Sequence, residues 1–267
     1  MSLVLAATNE SALIDLRAVA KTYETDTGPV HALARVDLKI KRGEFVSLLG
    51  PSGCGKTTLM SLIAGLATPS EGEVRIDDMS IRSPYTNLGI VFQNAELLDW
   101  RTAIQNIMLQ MEIRGLDVKT YLPIARKLLA QVGLKEFENK YPDELSGGMK
   151  QRVALCRALI HDPEILLMDE PFGALDAMTR DQMNADLQRI WMQSKKTAIL
   201  VTHSIDEAVF MSDRVIVMSA RPASVVEDLQ IDLPRPRSLD VRDTPEFNEY
   251  TAHLRARFKA LGVFSND

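Results

Sequence analysis

Strand-like apolar runs alternate along this chain with stretches of helical spacing. That alternation predicts an α/β fold with a largely parallel sheet covered on both faces. Two further observations support it. The 267 residues are 46% hydrophobic and 25% charged, enough for one large domain or two small ones without a disulfide or metal staple. A glycine-rich turn also lies between a fully apolar run and a helical segment, as where a buried parallel strand hands over to a helix.

Val36, Leu38 and Ile40 alternate with Asp37 and Lys39, the period of a half-buried strand. Phe45-Val46-Ser47-Leu48-Leu49 is nearly continuous apolar sequence, which suits a strand buried on both faces. It runs into Gly50-Pro51-Ser52-Gly53-Cys54-Gly55; residues 56–66 then read as a helix that stops at Thr68-Pro69-Ser70. Short strands are expected at 72–76 and 88–92. From about 95 to 160 strand-like runs disappear, and 103–113, 122–132 and 150–160 read as helices, a helical insertion. Strand character returns at 165–168 and 197–202. Between them Met178, Met183, Leu187, Ile190 and Trp191 recur at helical spacing, read as a core-facing stripe. A late strand is expected at 214–218; the tail from Ile231 carries Pro234, Pro236 and Pro245 before a polar helix near 247–261.

A net charge of −5 counts against a nucleic-acid binder. The two cysteines, Cys54 and Cys156, form no CxxC or Cys/His cluster. That argues against a zinc site and suits a reduced, cytosolic chain. The apolar run at 1–7 lacks a basic flank and does not make a signal peptide. No apolar stretch approaches the roughly 18–20 residues of a membrane helix.

Gly50 to Thr57 match G-x-x-x-x-G-K-[ST]. Glycines let backbone N–H groups turn inward around phosphate oxygens, and the helix N-terminus adds its positive end. Lys56 is expected at the β- and γ-phosphates and the Thr57 hydroxyl on Mg²⁺. Cys54 is read as a small tolerated residue rather than a nucleophile. Asp169 and Glu170 end a buried apolar strand, where carboxylates are costly without a task. Asp169 is expected to hold Mg²⁺ through its water shell, and Glu170 to polarise the water that attacks the γ-phosphorus. His203 closes another strand at the end where α/β sheets place ligands, a candidate γ-phosphate contact; His31, His161 and His253 are read as structural. Ser146 is a good N-cap, followed by Gly147 and Gly148, which makes a second anion site in one chain. The natural partner of that second site is a nucleotide bound by another copy.

Together these motifs resemble the nucleotide-binding subunit of ABC transporters over about residues 12–225. Gly50 to Thr57 resemble Walker A, and Gln93, after Gly89-Ile90-Val91-Phe92, the Q-loop glutamine. Leu145-Ser146-Gly147-Gly148 match the start of the signature, with Met149 in place of the commoner glutamine. Asp169-Glu170 resemble Walker B, Ala174-Leu175-Asp176 the D-loop, His203 the switch histidine and Tyr23 the adenine-stacking aromatic. The resemblance implies a P-loop NTPase core with a mostly parallel sheet, an antiparallel β subdomain and an inserted helical subdomain. It places an ATPase domain at 12–232, with core at 12–94 and 161–232, helices at 95–160 and a short tail at 233–267. It implies ATP and Mg²⁺ as cofactors. Glu170, His203, Lys56 and Gln93 would be catalytic, and Thr57, Gln93 and Asp169 would lie at the metal. Tyr23, Gly50, Pro51, Ser52, Gly53, Cys54, Gly55, Lys56, Thr57, Thr58, Ser146, Gly147, Gly148 and Asp176 would touch nucleotide.

A finer resemblance, to nitrate, sulfonate and taurine importer ATPases, rests on Val91-Phe92-Gln93-Asn94, Leu97-Leu98, Trp100-Arg101-Thr102, Met218-Ser219-Ala220-Arg221-Pro222 and Asp232-Leu233-Pro234-Arg235-Pro236-Arg237. Asp99 departs from the proline often found before this tryptophan. The resemblance implies a homodimer that sandwiches two ATP molecules and drives integral membrane permease subunits, with a solute-binding protein as an indirect partner. It places the chain peripherally on the cytoplasmic face of the plasma membrane, with 95–106 as the docking face for a coupling helix. The competing readings are an exporter or lipid-trafficking ATPase, and a soluble ABC protein acting on ribosomes or DNA. The latter usually carry two cassettes or a long coiled-coil insert, and neither is present.

Overall fold

A computed structural model describes residues 12–263; the 1–7 run lies outside the described residues. The chain opens with two long strands, β1 (Ala12–Tyr23) and β2 (Val30–Lys41), then the short buried β3 (Phe45–Leu49) and helix α1 (Lys56–Ile63). Strands β4 (Glu71–Ile76), β5 (Met79–Ser80) and β6 (Leu88–Val91) follow. Next come three helices, α2 (Ala103–Ile113), α3 (Val118–Gln131) and α4 (Gly147–Leu159), with no strand among them. Strands and helices then alternate: β7 (Ile165–Asp169), α5 (Ala177–Ser194), β8 (Thr197–Thr202), α6 (Ile205–Met211), β9 (Arg214–Met218) and β10 (Val225–Gln230), closing with α7 (Pro245–Ala260).

Two sheets result. The larger has the order β10-β9-β3-β8-β7-β6, parallel throughout except for β10, which pairs antiparallel with β9 at the edge. Every residue of β3 and β8 is buried, as a central parallel strand requires. The smaller sheet, β2-β1-β4-β5, is antiparallel. Val46, Leu48, Ile165 and Leu167 of the large sheet share a core with α1 and with β1 and β2. Phe45, Leu49, Leu166 and Met168 face the other way, into a core built with α2 to α7.

Several boundaries differ from the sequence reading, each for a local reason. Helix α1 ends at Ile63 rather than at 66, because the chain turns at Gly65 (φ +71), where a Cβ would strike the Ser83 backbone. Helix α3 begins at Val118, since Asp117 caps it by accepting from Lys119 N at 3.0 Å. Helix α4 begins at Gly147, capped by Ser146. Met178 does not join the core stripe: it is 84% exposed on the first turn of α5, and burial starts at Met183. Strand β1 shows no clean alternation because its pairing with β2 shifts register repeatedly, with Ala18 at φ 51. The closing helix buries Phe247, Thr251, Leu254 and Phe258, a face its polar composition hides. Before it, the buried Arg237 guanidinium donates to the carbonyls of Val209, Phe210 and Ser212, tying the tail to the end of α6.

Two packing details have measurable consequences. Gly89 in β6 lies so close to α4 that a Cβ would overlap the Ala158 backbone. Gly89→Ala should therefore lower stability by about 1–3 kcal/mol, read as a drop in the urea midpoint with an unchanged m-value. Glu207 in α6 is 6% exposed. Burial pushes its carboxyl above the ordinary value of 4.5, against the opposing influence of the Thr202 hydroxyl, Arg180 and His203. A raised folded-state pKa means that the folded chain holds a proton the unfolded chain has released. Stability therefore falls as pH rises from the unfolded value through the folded one. Glu207→Gln should flatten that fall over the pH range above the ordinary carboxylate value of 4.5, and raise the thermal midpoint at the upper end of it relative to wild type. Circular dichroism melts across that range check both.

Candidate nucleotide site

The site grows from the end of β3. Gly50 leaves the strand against the Met218 carbonyl and Cys54 Sγ, each of which an added Cβ would meet at 3.1 Å. Gly53 (φ +72) and Gly55 (φ +129) then turn the backbone in a way L side chains resist; at Gly55 a Cβ would also meet Ala32 O at 2.8 Å. Lys56 starts α1 only 5% exposed. Its Nζ donates to the carbonyls of Gly50 (2.8 Å) and Pro51 (2.9 Å), closing the loop on itself. Cys54 faces the core, and burial pushes its thiol up despite the nearby Lys56. It is a free thiol, as is the buried Cys156, and its side chain does not line the phosphate cavity.

The loop walls one side of a cavity of about 410 Å³. Ser52, Gly53 and residues 55–58 line it from the loop and helix start. Gln93 enters from the segment after β6, Asp169 and Glu170 from the end of β7, and Arg221 from the turn between β9 and β10. Burial raises the Asp169 carboxyl above the ordinary value, opposed by a hydrogen bond from the Thr57 hydroxyl. Glu170 sits in the left-handed region at φ 44, a conformation that costs a non-glycine residue about 1–2 kcal/mol. Its N–H donates to Val201 O at 2.9 Å, and its own carbonyl accepts from Gly173 N at 3.0 Å. These bonds aim the carboxylate at His203, whose Nδ1 lies 3.2 Å from Glu170 Oε2.

Gln93 lines this cavity and also a neighbouring one of about 340 Å³, whose other walls include Gly147, Lys150, Ala174 and Leu175. Its carbonyl accepts from Gln151 Nε2 of α4 at 2.5 Å. The remaining sequence candidates stand apart from the phosphate cavity. The Ser146 hydroxyl accepts from Met149 N at 3.3 Å as the cap of α4. Asp176 caps α5 by accepting from Thr179 N at 3.0 Å, and bonds to Thr179 hold its carboxyl below the ordinary range. Tyr23 is exposed at the end of β1 with the Lys21 ammonium 4.9 Å from its ring centre.

Thr57 and Asp169 bring a hydroxyl and a carboxylate oxygen together at the cavity floor. No cluster of three or more His, Cys, Asp or Glu residues able to hold a metal occurs among the described residues. So sparse a set of hard oxygen donors fits magnesium, which keeps several waters and takes phosphate oxygens alongside one or two protein ligands. Arg221 and Gln151 were not singled out as site residues by sequence reasoning. Gln151 follows the Ser146-Gly147-Gly148 turn and Arg221 lies in no phosphate-binding pattern; only the fold carries Arg221 to the loop and Gln151 to Gln93.

A family model described as ABC transporter matches residues 33–173. The chain is 47% identical over 249 residues to an uncharacterized ABC transporter ATP-binding protein of Methanocaldococcus jannaschii, covering 93% of this chain and 90% of that protein. It is 40% identical over 250 residues to the aliphatic sulfonates import ATP-binding protein SsuB of Bacillus cereus, covering 94% and 97%. It is 43% identical over 235 residues to the nitrate import ATP-binding protein NrtD of Synechococcus elongatus, covering 87% and 86%. Among solved structures, the dimeric structure of a bacterial ABC transporter cassette superposes with a TM-score of 0.73 at 34% identity, over 83% of this chain and all of that one. A dimeric post-hydrolysis cassette bound to ADP and Pi gives 0.70 at 33% identity, with 83% and 100% covered. Matches of this length and identity, on the same fold and around a phosphate loop, place the chain in the ABC transporter family as an ATP-binding ATPase subunit.

Proposed function

We propose that this ATPase energises a bacterial importer for a small solute of the nitrate, sulfonate or taurine type. It works as a homodimer on the cytoplasmic face of the plasma membrane, bound to integral membrane permease subunits that a solute-binding protein supplies. The near full-length likeness to SsuB and NrtD carries the importer reading. No helix among the described residues is long and apolar enough to cross a membrane, so this reading assigns the translocation path to other chains. Trp100, exposed beside the capped start of α2, suits the 95–106 docking face. The buried Asn106 amide pins that segment, donating to Leu98 O and Arg101 O.

The chemistry follows from the cavity. Loop N–H groups and Lys56 hold the phosphates, and Tyr23 stacks the adenine. Thr57, Gln93 and Asp169 would hold Mg²⁺, which would neutralise phosphate charge when bound. The Glu170 carboxylate takes the proton of the attacking water, and His203, at 3.2 Å, keeps that carboxylate in place and meets the terminal phosphate. Ser146, Gly147, Gly148 and Asp176 lie outside their own chain's phosphate cavity. They therefore complete the site of a second copy, in line with the dimeric cassettes that this chain resembles. ATP then favours the closed dimer because only that state gives it contacts to both halves.

Glu170→Gln should bind ATP yet hydrolyse it about tenfold or more slowly, with an ATP-bound dimer accumulating by size-exclusion chromatography; wild-type turnover would remove Glu170 as the base. Ser146→Arg should suppress turnover while leaving nucleotide binding by the monomer intact, and persistent hydrolysis would sink the composite site. Affinity purification from its native membranes should recover a polytopic membrane protein, with recovery of ribosomes or DNA counting for the soluble alternative.

A further inference from the structure

The turn between β9 and β10 is stitched to the edge of the phosphate loop. Ser219 N donates to Ser224 O and Ser224 N to Ser219 Oγ, both at 3.0 Å. Buried Ala223 bridges to β2, its N–H donating to Ala32 O at 3.1 Å and its carbonyl accepting from Ala34 N at 2.9 Å. Gly55 packs against the same place, where an added Cβ would lie 3.6 Å from Ala223 Cβ. The turn is thereby held in register with the loop, and at its tip is Arg221.

Arg221 Nη2 donates to Gly53 O at 2.7 Å, in the first half of the loop, and the side chain lines the phosphate cavity together with Glu170, Asp169 and Gln93. A guanidinium has five N–H donors in a rigid fork. That bond to Gly53 is the one hydrogen bond Arg221 makes among the described residues, and no carboxylate there forms an ion pair with it. Lys56, the other cation of the cavity, spends two of its three donors on loop carbonyls. Two carboxylates would otherwise face a single, internally committed ammonium.

We infer that Arg221 is a phosphate-binding residue of this ATPase, a second cation that contacts the terminal phosphate of a nucleoside triphosphate and so favours ATP over ADP. This rests on the nucleotide reading of the cavity. Helix-start N–H groups at 56–58 serve the inner phosphates. Arg221 comes from the β9 side of the loop and lines the same cavity as Glu170, which arrives from the β7 side and whose water attacks the terminal phosphorus. Its bond to Gly53 pre-orients the fork, so less side-chain freedom is lost on binding.

The test is binding of fluorescently labelled ATP and ADP, each with Mg²⁺, to the full chain and to Arg221→Ala, Arg221→Gln and Arg221→Lys. Arg221→Ala and Arg221→Gln should weaken ATP about tenfold and ADP by less than about twofold, with Arg221→Lys recovering most of the loss. Arg221→Gln keeps an N–H for the Gly53 carbonyl without the charge, so it separates phosphate contact from support of the loop and serves if Arg221→Ala folds poorly. Unchanged ATP affinity in Arg221→Gln overturns the inference. So does an equal loss for both nucleotides, which would mean that Arg221 only props the loop. A wild-type chain that bound neither nucleotide would instead overturn the nucleotide reading itself.

Discussion

A buried ammonium organises this molecule. Lys56 is held out of water by its position at the first turn of α1, and a cation so placed is costly unless its donors are met. Two of them are met by Gly50 and Pro51, carbonyls five and six residues back along the same loop. That geometry exists only if the loop reverses sharply. The reversal requires glycines at 53 and 55, and a strand end with no side chain at 50. The strand must in turn be rigid, which explains why β3 sits between β8 and β9 with all five residues buried. Sheet order is therefore part of the site. The strands beside β3 carry His203 on one side and the Arg221 turn on the other, and Asp169 and Glu170 arrive one strand further out.

The helical region is tied to this site through the chain that follows β6. Gln151 donates to the Gln93 carbonyl, and Arg157, on the same helix, donates to Ala95 O at 2.7 Å and Glu96 O at 2.6 Å. Gly89 lets α4 press directly onto β6 behind them. Helix α4 and the 93–96 segment are thus fastened at several points. On the proposed reading, a displacement of Gln93 would be passed to α4, and with it to the Ser146 cap at the far end from those arginine contacts. This is a mechanical reason for a signal at the phosphates to be felt on the face formed by 95–106.

Much of this was legible because it rests on local chemistry. A glycine pattern before a lysine and a threonine can be read without knowing the fold, since the backbone requirement lies within eight residues. The acids after Met168 and the histidine after Thr202 were legible for the same reason: each ends a strand whose apolar run is continuous. What was not legible depends on distant partners. Strand β1 hides because its bulges against β2 break the two-residue period. Met178 fits the helical stripe by spacing, yet lies on the first turn of α5, before the helix reaches the core. The buried face of α7 is sparse enough to read as polar until the tail it covers is in place. Arg221 is one arginine among many until Ala223 bonds to β2 and carries it to the loop.

The charges of the cavity constrain how it can bind its nucleotide. Lys56 and Arg221 face Asp169 and Glu170, so its side chains are close to balanced before a polyanion arrives. Lys56 and Arg221 alone therefore do not offset a triphosphate as well as the two carboxylates, and the remainder must be met from other sources. One is the set of loop N–H groups and the start of α1, which carry positive potential without a counter-charge. Another is the magnesium ion proposed at Thr57 and Asp169, which would reverse the sign of the floor on which the phosphates rest. The third, in the proposed dimer, is the capped start of α4 from a second copy, again a helix N-terminus rather than a formal charge. Asp169 shows the same logic from the other side. Its carboxyl is raised by burial and restrained by the Thr57 hydroxyl, and a cation bound there would favour its charged form. On the proposed reading, a cavity balanced in this way would take the metal-bound nucleotide in preference to bare phosphates.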